Sequence, residues 1–145
     1  MKGKFFVDTN IFIYLKLKDE KSKEKRLISS NLLKKIKNRI IISTQVVNEF
    51  YSVMLRNSVP DSKIQEMVRG MINIAGLSFL TLETIMKGWQ IRDKYRYSIW
   101  DSLIVASASE NDCEILYTED LQHRQLIENK LRIINPFKNQ DEEEG

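Results

Sequence analysis

Short apolar runs alternate along this chain with longer stretches whose apolar residues recur at helical spacing. Phe5-Phe6-Val7, within residues 4–7, is the first run and stops at Asp8. Ile40-Ile41-Ile42 and residues 77–80, 114–117 and 131–134 are the others, the last closed by Asn135-Pro136. Apolar runs this short, bounded by polar or turn residues, predict buried strands. Between them, residues 23–37 place Leu27, Ile28, Leu32, Leu33 and Ile36 on one helical face, and residues 43–57 do the same with Val46, Val47, Phe50, Val53 and Met54. A further face, Ile64, Met67, Val68, Met71, Ile72 and Ala75, follows Pro60, which suits a first helical turn, and Gly76 is expected to end that helix. Residues 11–15 begin a short helix, and residues 83–95 and 98–111 form two more. Five strands separated by helices predict a single α/β domain over residues 1–137, three layers α/β/α around a parallel five-stranded sheet. Ligands of such sheets bind beyond the carboxyl ends of the strands, so an acid just after a strand gains weight.

Composition narrows the chemistry. A chain of 145 residues suits one domain with a real core. A single cysteine, Cys113, permits no internal disulfide, and with a single histidine it excludes the usual four-ligand structural zinc sites. The amino-terminal residues meet charge after three apolar positions, unlike a signal peptide, and no apolar run approaches the ~20 residues that span a bilayer, so a soluble cytoplasmic protein without a membrane partner is expected. The net charge of +3 conceals an asymmetry. Residues 138–145 read as an acidic, disordered tail, and setting aside its four acids leaves 23 basic against 16 acidic residues, +7 for the body. That balance favours a polyanionic partner weakly, because the runs Lys16–Arg26 and Lys34–Arg39 also read as solvated helix faces. Trp89 and Trp100 fit core or dimer packing better than base stacking, and Cys113 fits a buried small apolar position.

Four acids stand out. Asp8 directly follows the first strand; it is also placed to cap the next helix, although Thr9 and Asn10 suit that role as well. Glu49 shares a polar stripe with Gln45, Ser52 and Arg56, and by pattern alone it is a surface glutamate. Asp101 follows Ser98 as in a capping box, yet it shares a face with Ile104, Val105 and Ala108, which aims a carboxylate toward apolar packing, where it needs a partner or a metal. Asp120 follows the fourth strand in Thr118-Glu119-Asp120, where Glu119 is a fifth candidate acid and Thr118 a hydrogen-bond partner. Phosphodiester hydrolysis needs a hydroxide at neutral pH and relief of charge at phosphorus, and Mg2+ or Mn2+ bound by oxygen ligands supplies both without histidine. Gly-rich nucleotide loops and Gly-x-Ser-x-Gly turns do not occur.

The stretches Phe6-Val7-Asp8-Thr9-Asn10-Ile11, Val46-Val47-Asn48-Glu49-Phe50, Ile99-Trp100-Asp101-Ser102-Leu103-Ile104-Val105-Ala106, Leu116-Tyr117-Thr118-Glu119-Asp120-Leu121-Gln122-His123 and Leu131-Arg132-Ile133-Ile134-Asn135-Pro136-Phe137 together resemble a PIN domain, in particular the single-domain VapC-type ribonuclease toxins. The resemblance covers nearly the whole chain. It implies Asp8 and Asp101 as main metal ligands, Glu49 at a second ion or a metal-bound water, Asp120 completing the site, and Thr9, Asn10, Thr118 and Glu119 in support. It also implies Mg2+ or Mn2+, an RNA substrate, a homodimer and a cognate antitoxin whose tail lies over the catalytic groove. One departure stands at Arg124, where relatives with the same Glu-Asp-Leu-Gln-His stretch often carry glycine. Arginine lacks glycine's freedom at positive φ, which puts the loop's backbone shape in question and adds a candidate phosphate contact.

Two other functions compete. A phosphatase of the haloacid dehalogenase type wants a second Asp two residues after the first, and that position holds Asn10. A non-catalytic PIN-like RNA-binding or scaffold domain is the other, and clustered negative charge disfavours it.

Overall fold

The computed structural model describes residues 3–138. The acidic tail proposed from composition lies outside the described residues except for Lys138. Strand β1 (Phe5–Val7) is buried along its whole length and leads into helix α1 (Thr9–Lys16). A short 3-10 turn and α2 (Lys23–Lys35) precede β2 (Ile40–Ser43), which runs into α3 (Thr44–Arg56) without a loop. Then come α4 (Asp61–Ile74), β3 (Gly76–Ser78), α5 (Leu82–Tyr95), α6 (Ile99–Glu110), β4 (Ile115–Tyr117), β5 (Leu126–Ile127) and β6 (Leu131–Ile134).

The sheet order is β3-β2-β1-β4-β6-β5. The five expected strands are all present and parallel to one another. The sheet is nevertheless six-stranded, because Leu126–Ile127 turns back and pairs antiparallel with β6. Periodicity over two residues carries no signal, which is why this strand was not expected. Gly76 also differs from expectation. The helix stops at Ala75, which is already extended, and Gly76 opens β3 opposite Ile41. A Cβ on Gly76 would lie 2.9 Å from Ile41 Cδ1, the flexible end of a side chain that a small shift would move aside, so Gly76 follows the helix end without a left-handed turn. At Gly88 in α5 a Cβ would meet Leu103 Cδ2 of α6 at 2.8 Å, again the movable end of a side chain.

The chain lays β1, β2 and β3 outward in one direction, then returns to place β4 on the other side of β1. The reversal falls between β1 and β4, the position where open parallel sheets build their ligand sites. Helices cover the sheet through Ile11, Phe12, Phe50, Met54, Ile64, Ile91, Ile104 and Val105, all buried against Phe6, Ile42, Leu116 and Ile133. Cys113 is buried in this core, as expected, and burial pushes its thiol up to about 12. Trp89 and Trp100 are not in the core; they are 52% and 63% exposed. Leu27 is likewise exposed, so the apolar stripe of α2 is narrower than its sequence pattern. No helix among the described residues is long and apolar enough to cross a membrane.

Candidate active site

The carboxyl ends of β1 and β4 bring the first acid to its partner. Val7 pairs with Tyr117, so the next residues of the two strands, Asp8 and Thr118, lie side by side. The Asp8 amide donates to the Tyr117 carbonyl at 3.0 Å, and Thr118 Oγ1 donates to Asp8 Oδ2 at 2.8 Å. The other oxygen, Oδ1, accepts from the Thr9 amide at 2.7 Å, which makes Asp8 the N-cap of α1 as well as the first acid of the site. The capping role weighed from sequence is thus present, on a carboxyl that also lies at the acidic cluster. Asp8 is buried, and the groups bonded to it are a neutral hydroxyl and a backbone amide. Burial drives its carboxyl up to about 7, against the lowering effect of those two hydrogen bonds, and the nearby Asp120 and Glu49 push it further the same way.

Glu49 arrives because α3 starts directly at the end of β2, beside β1. Ser43 caps that helix through Oγ, and Glu49 lies one and a half turns in, half-buried. Its Oε2 accepts from Thr9 Oγ1 at 3.1 Å and its Oε1 from Gln45 Nε2 at 2.8 Å. The stripe that looked like a solvated surface therefore faces the sheet edge. Asp101 sits in the first turn of α6, where Ser98 Oγ accepts from its amide at 3.0 Å. It is half-buried, less enclosed than its apolar neighbours Ile104 and Val105. Burial first, and then Glu49, raise its carboxyl above the ordinary range, against the Ser98 hydrogen bond. Asp120 is the most exposed of the four. Its amide donates to Thr118 Oγ1 at 3.2 Å, and Asn10 Nδ2 approaches Oδ2 at 3.4 Å. Its carboxyl too is raised, by burial and then by Asp101, Glu119 and Glu49.

The four acids therefore come from four separate elements and repel one another across a common edge. Asp8, Glu49 and Asp120 line a cavity of about 240 Å³ together with Asn10, Ser52 and Arg56, while Asp101 stands outside that lining. Thr118 and Thr9, both buried, each tie two parts of the cluster: Thr118 links Asp8 to the Asp120 amide, and Thr9 links Asp8 to Glu49. The donor set is all oxygen and bears excess negative charge, the chemistry of a hard divalent cation. Among the described residues no three Asp, Glu, His or Cys side chains close into a ready-made cage. An open all-oxygen set of this kind is the sort that a hydrated divalent ion meets largely through its own waters.

Two residues, Glu119 expected in support and Arg124 expected as a phosphate contact, are placed differently from the rest. Glu119 accepts from Tyr14 Oη at 2.6 Å and from Lys25 Nζ at 2.9 Å. Lys25 also lies over the rings of Tyr14 and Phe137, so Glu119 is bound into a buttress between α1, α2 and the end of the chain. Arg124 adopts φ 72°, the left-handed shape a glycine would take, so the loop keeps that shape with an arginine in it. Its amide donates to the Ile133 carbonyl at 2.7 Å and its carbonyl accepts from Arg132 Nη1 at 2.7 Å, which holds the residue in place. Gln45 is the residue whose role the sequence did not disclose. One amide nitrogen donates both to Glu49 and, at 3.0 Å, to the Trp100 carbonyl, joining α3 to the turn before Asp101. The four-three-four spacing of Gln45, Glu49, Ser52 and Arg56 was the available signal.

The model of the PIN domain family matches residues 5–128, and the chain belongs to that family. Among the curated proteins none matches it. Among solved structures, the fold is similar to the VapC20 toxin of Mycobacterium tuberculosis, described as cleaving the sarcin–ricin loop, at 16% identity over 81% of this chain and 90% of that one, TM-score 0.65. A toxin–antitoxin complex from Klebsiella pneumoniae is similar at 18% identity over 94% of this chain and 100% of that one, TM-score 0.69. DNA-bound VapBC from Salmonella typhimurium is similar at 20% identity, over 90% and 96%, TM-score 0.66. The PIN fold anticipated from the motifs is the fold the chain has.

Proposed function

We propose that this chain is a Mg2+- or Mn2+-dependent endoribonuclease and the toxin of a toxin–antitoxin pair. The observation that carries the reading is the meeting of Asp8, Glu49, Asp101 and Asp120 at the strand-order reversal, with Asp8 held at about 7 and bonded only to neutral groups. Family membership and the toxin structures that share the fold support it. A bound divalent ion would supply a water of lowered pKa and offset charge on the phosphate. Asp8 and Asp101 would be its main holders, Glu49 and Asp120 completing the set. Thr118 and the Thr9 amide fix both oxygens of Asp8, and Gln45 and Thr9 fix those of Glu49, so neither carboxylate is free to turn. Asn10 orients Asp120, Glu119 supports the loop through its buttress, and Arg124 contacts phosphate. The unit is residues 1–137, acting in the cytoplasm as a homodimer restrained by an antitoxin segment over the groove.

The test is cleavage of total cellular RNA by the wild type and by Asp101→Asn, with and without Mg2+ or Mn2+, with the cut ends mapped. Cleavage is expected to require the metal and to fall by on the order of a hundredfold or more in the variant. The same cuts at the same rate from both proteins would overturn the assignment.

A further inference from the structure

The acid-lined cavity adjoins a second depression of about 570 Å³, whose walls include Thr44, Gln45, Asn48, Glu49, Leu80 and Trp100. Glu49 and Ser52 belong to both, so the two spaces share a wall. Trp100 is the chain neighbour of Asp101, and it leaves a large indole 63% exposed at the mouth of a site built of acids. That position is held firmly. The Gln45 amide that fixes Glu49 also fixes the Trp100 carbonyl, and the Leu80 amide donates to Thr44 Oγ1 at 3.4 Å across the same depression.

We propose that this depression binds one unpaired RNA base next to the phosphate being cut, stacked on Trp100, with its polar edge toward Asn48 and Thr44. The inference rests on the ribonuclease reading and adds a subsite to it, a stacking platform at Trp100 that takes a base already free of its neighbours. The occupant must meet two demands at once. It must cover an aromatic face, and it must present a phosphate to the acids on the far side of Glu49. A nucleotide does both. Stacking on an exposed aromatic ring tolerates any base, because every base has a π-face. The amide of Asn48, on the exposed side of α3, offers both a donor and an acceptor to a base edge. A base within a duplex is stacked and paired already, so it cannot enter.

Binding is measured apart from cleavage, in an Asp120→Asn background with Mg2+ present. The probes are a short oligoadenylate, the same strand annealed to oligouridylate, and an abasic oligomer of equal length. Trp100→Ala is expected to weaken binding of the single strand about tenfold while changing the duplex and the abasic oligomer by less than about twofold. Trp100→Phe restores most of the loss. With the Asp120 side chain intact, Trp100→Ala is expected to raise KM for RNA far more than it lowers kcat. The inference is overturned if Trp100→Ala binds oligoadenylate as well as its parent, or loses all three probes equally. It is also overturned if the change alters only self-association, since Trp100 would then be packing against a second copy of the chain. The two readings fail separately. A wild type that cleaves no RNA under any metal, with the Trp100-dependent binding intact, sinks the nuclease reading alone.

Discussion

The loop after β4 sends one acid into each of two clusters, and the clusters are built on opposite plans. Glu119 goes to Lys25 and Tyr14, where a cation and a phenol satisfy both oxygens. Asp120 goes to Asp8, Glu49 and Asp101, where burial first and neighbouring acids second make Asp8, Asp101 and Asp120 harder to ionise. The first cluster is complete as it stands and its product is rigidity. The second lowers the stability of the chain and becomes favourable only when positive charge arrives from outside. A buried acid with a cationic partner is architecture; a buried acid among acids is a site.

The largest test of that contrast is pH. The Asp8 carboxyl titrates at about 7 in the folded chain against 3.8 ordinarily, so between those values the folded state holds a proton the unfolded state has lost. The metal-free protein should lose stability as pH rises from about 4 through 7, then level off. At about 1.4 kcal/mol per unit the full effect is on the order of 4 kcal/mol. Denaturant titrations in chelator across this range check it. Asp8→Asn should flatten the profile, and Mg2+ added at pH 8 should raise the midpoint of the wild type and not of the variant. A wild-type profile already flat would mean that Asp8 is not buried away from water and positive charge as described.

Thr118→Val sharpens the same point. It deletes the hydroxyl that donates to Asp8 and accepts from the Asp120 amide. A loss of about 2 kcal/mol is expected by calorimetry, together with a shift of the cleavage pH profile to higher pH, because Asp8 loses a donor that favours its charged form. Lys25→Ala attacks the other cluster. Lys25 is two-fifths exposed, so its pair with Glu119 is partly screened, and the expected cost is only ~1 kcal/mol, shrinking in high salt, with cleavage close to wild type. A large loss of cleavage from this change would merge the two clusters into one working unit. The smallest effect is expected at Arg124→Gly, a gain of about 0.5 kcal/mol as the left-handed strain is relieved and partly offset by the greater freedom of the unfolded chain; Arg124→Val should lose about 1 kcal/mol, both read by thermal melts.

The five parallel strands and the helices between them were legible because each is a run of apolar residues with a clean period and a polar stop. The acids Asp8 and Asp120 were legible for a related reason, since an acid after a strand in a parallel sheet has one place to go. Glu49 was not legible from its own surroundings. Its stripe has the spacing of a surface, and only the direct join of β2 to α3 turns it toward Thr9. Residues that act between elements stayed hidden. Gln45 reaches Trp100 and Lys25 reaches Glu119 across 55 and 94 positions, and no local pattern encodes such distances. Leu126–Ile127 was hidden because two residues have no period.

That short strand has a further consequence. The sheet ends in β5, two residues long and reversed, and on the other side in β3, three residues long. The turn from β5 to β6 carries Glu128, Asn129 and Lys130, with Glu128 and Asn129 in left-handed conformations. An edge strand invites a foreign strand in proportion to the straight row of unpaired amides it presents, and charge and backbone twist deter one. Both margins are therefore too brief to seed edge-to-edge growth, and the parallel interior, rich in Ile and Phe, is sealed from its neighbours in a crowded solution.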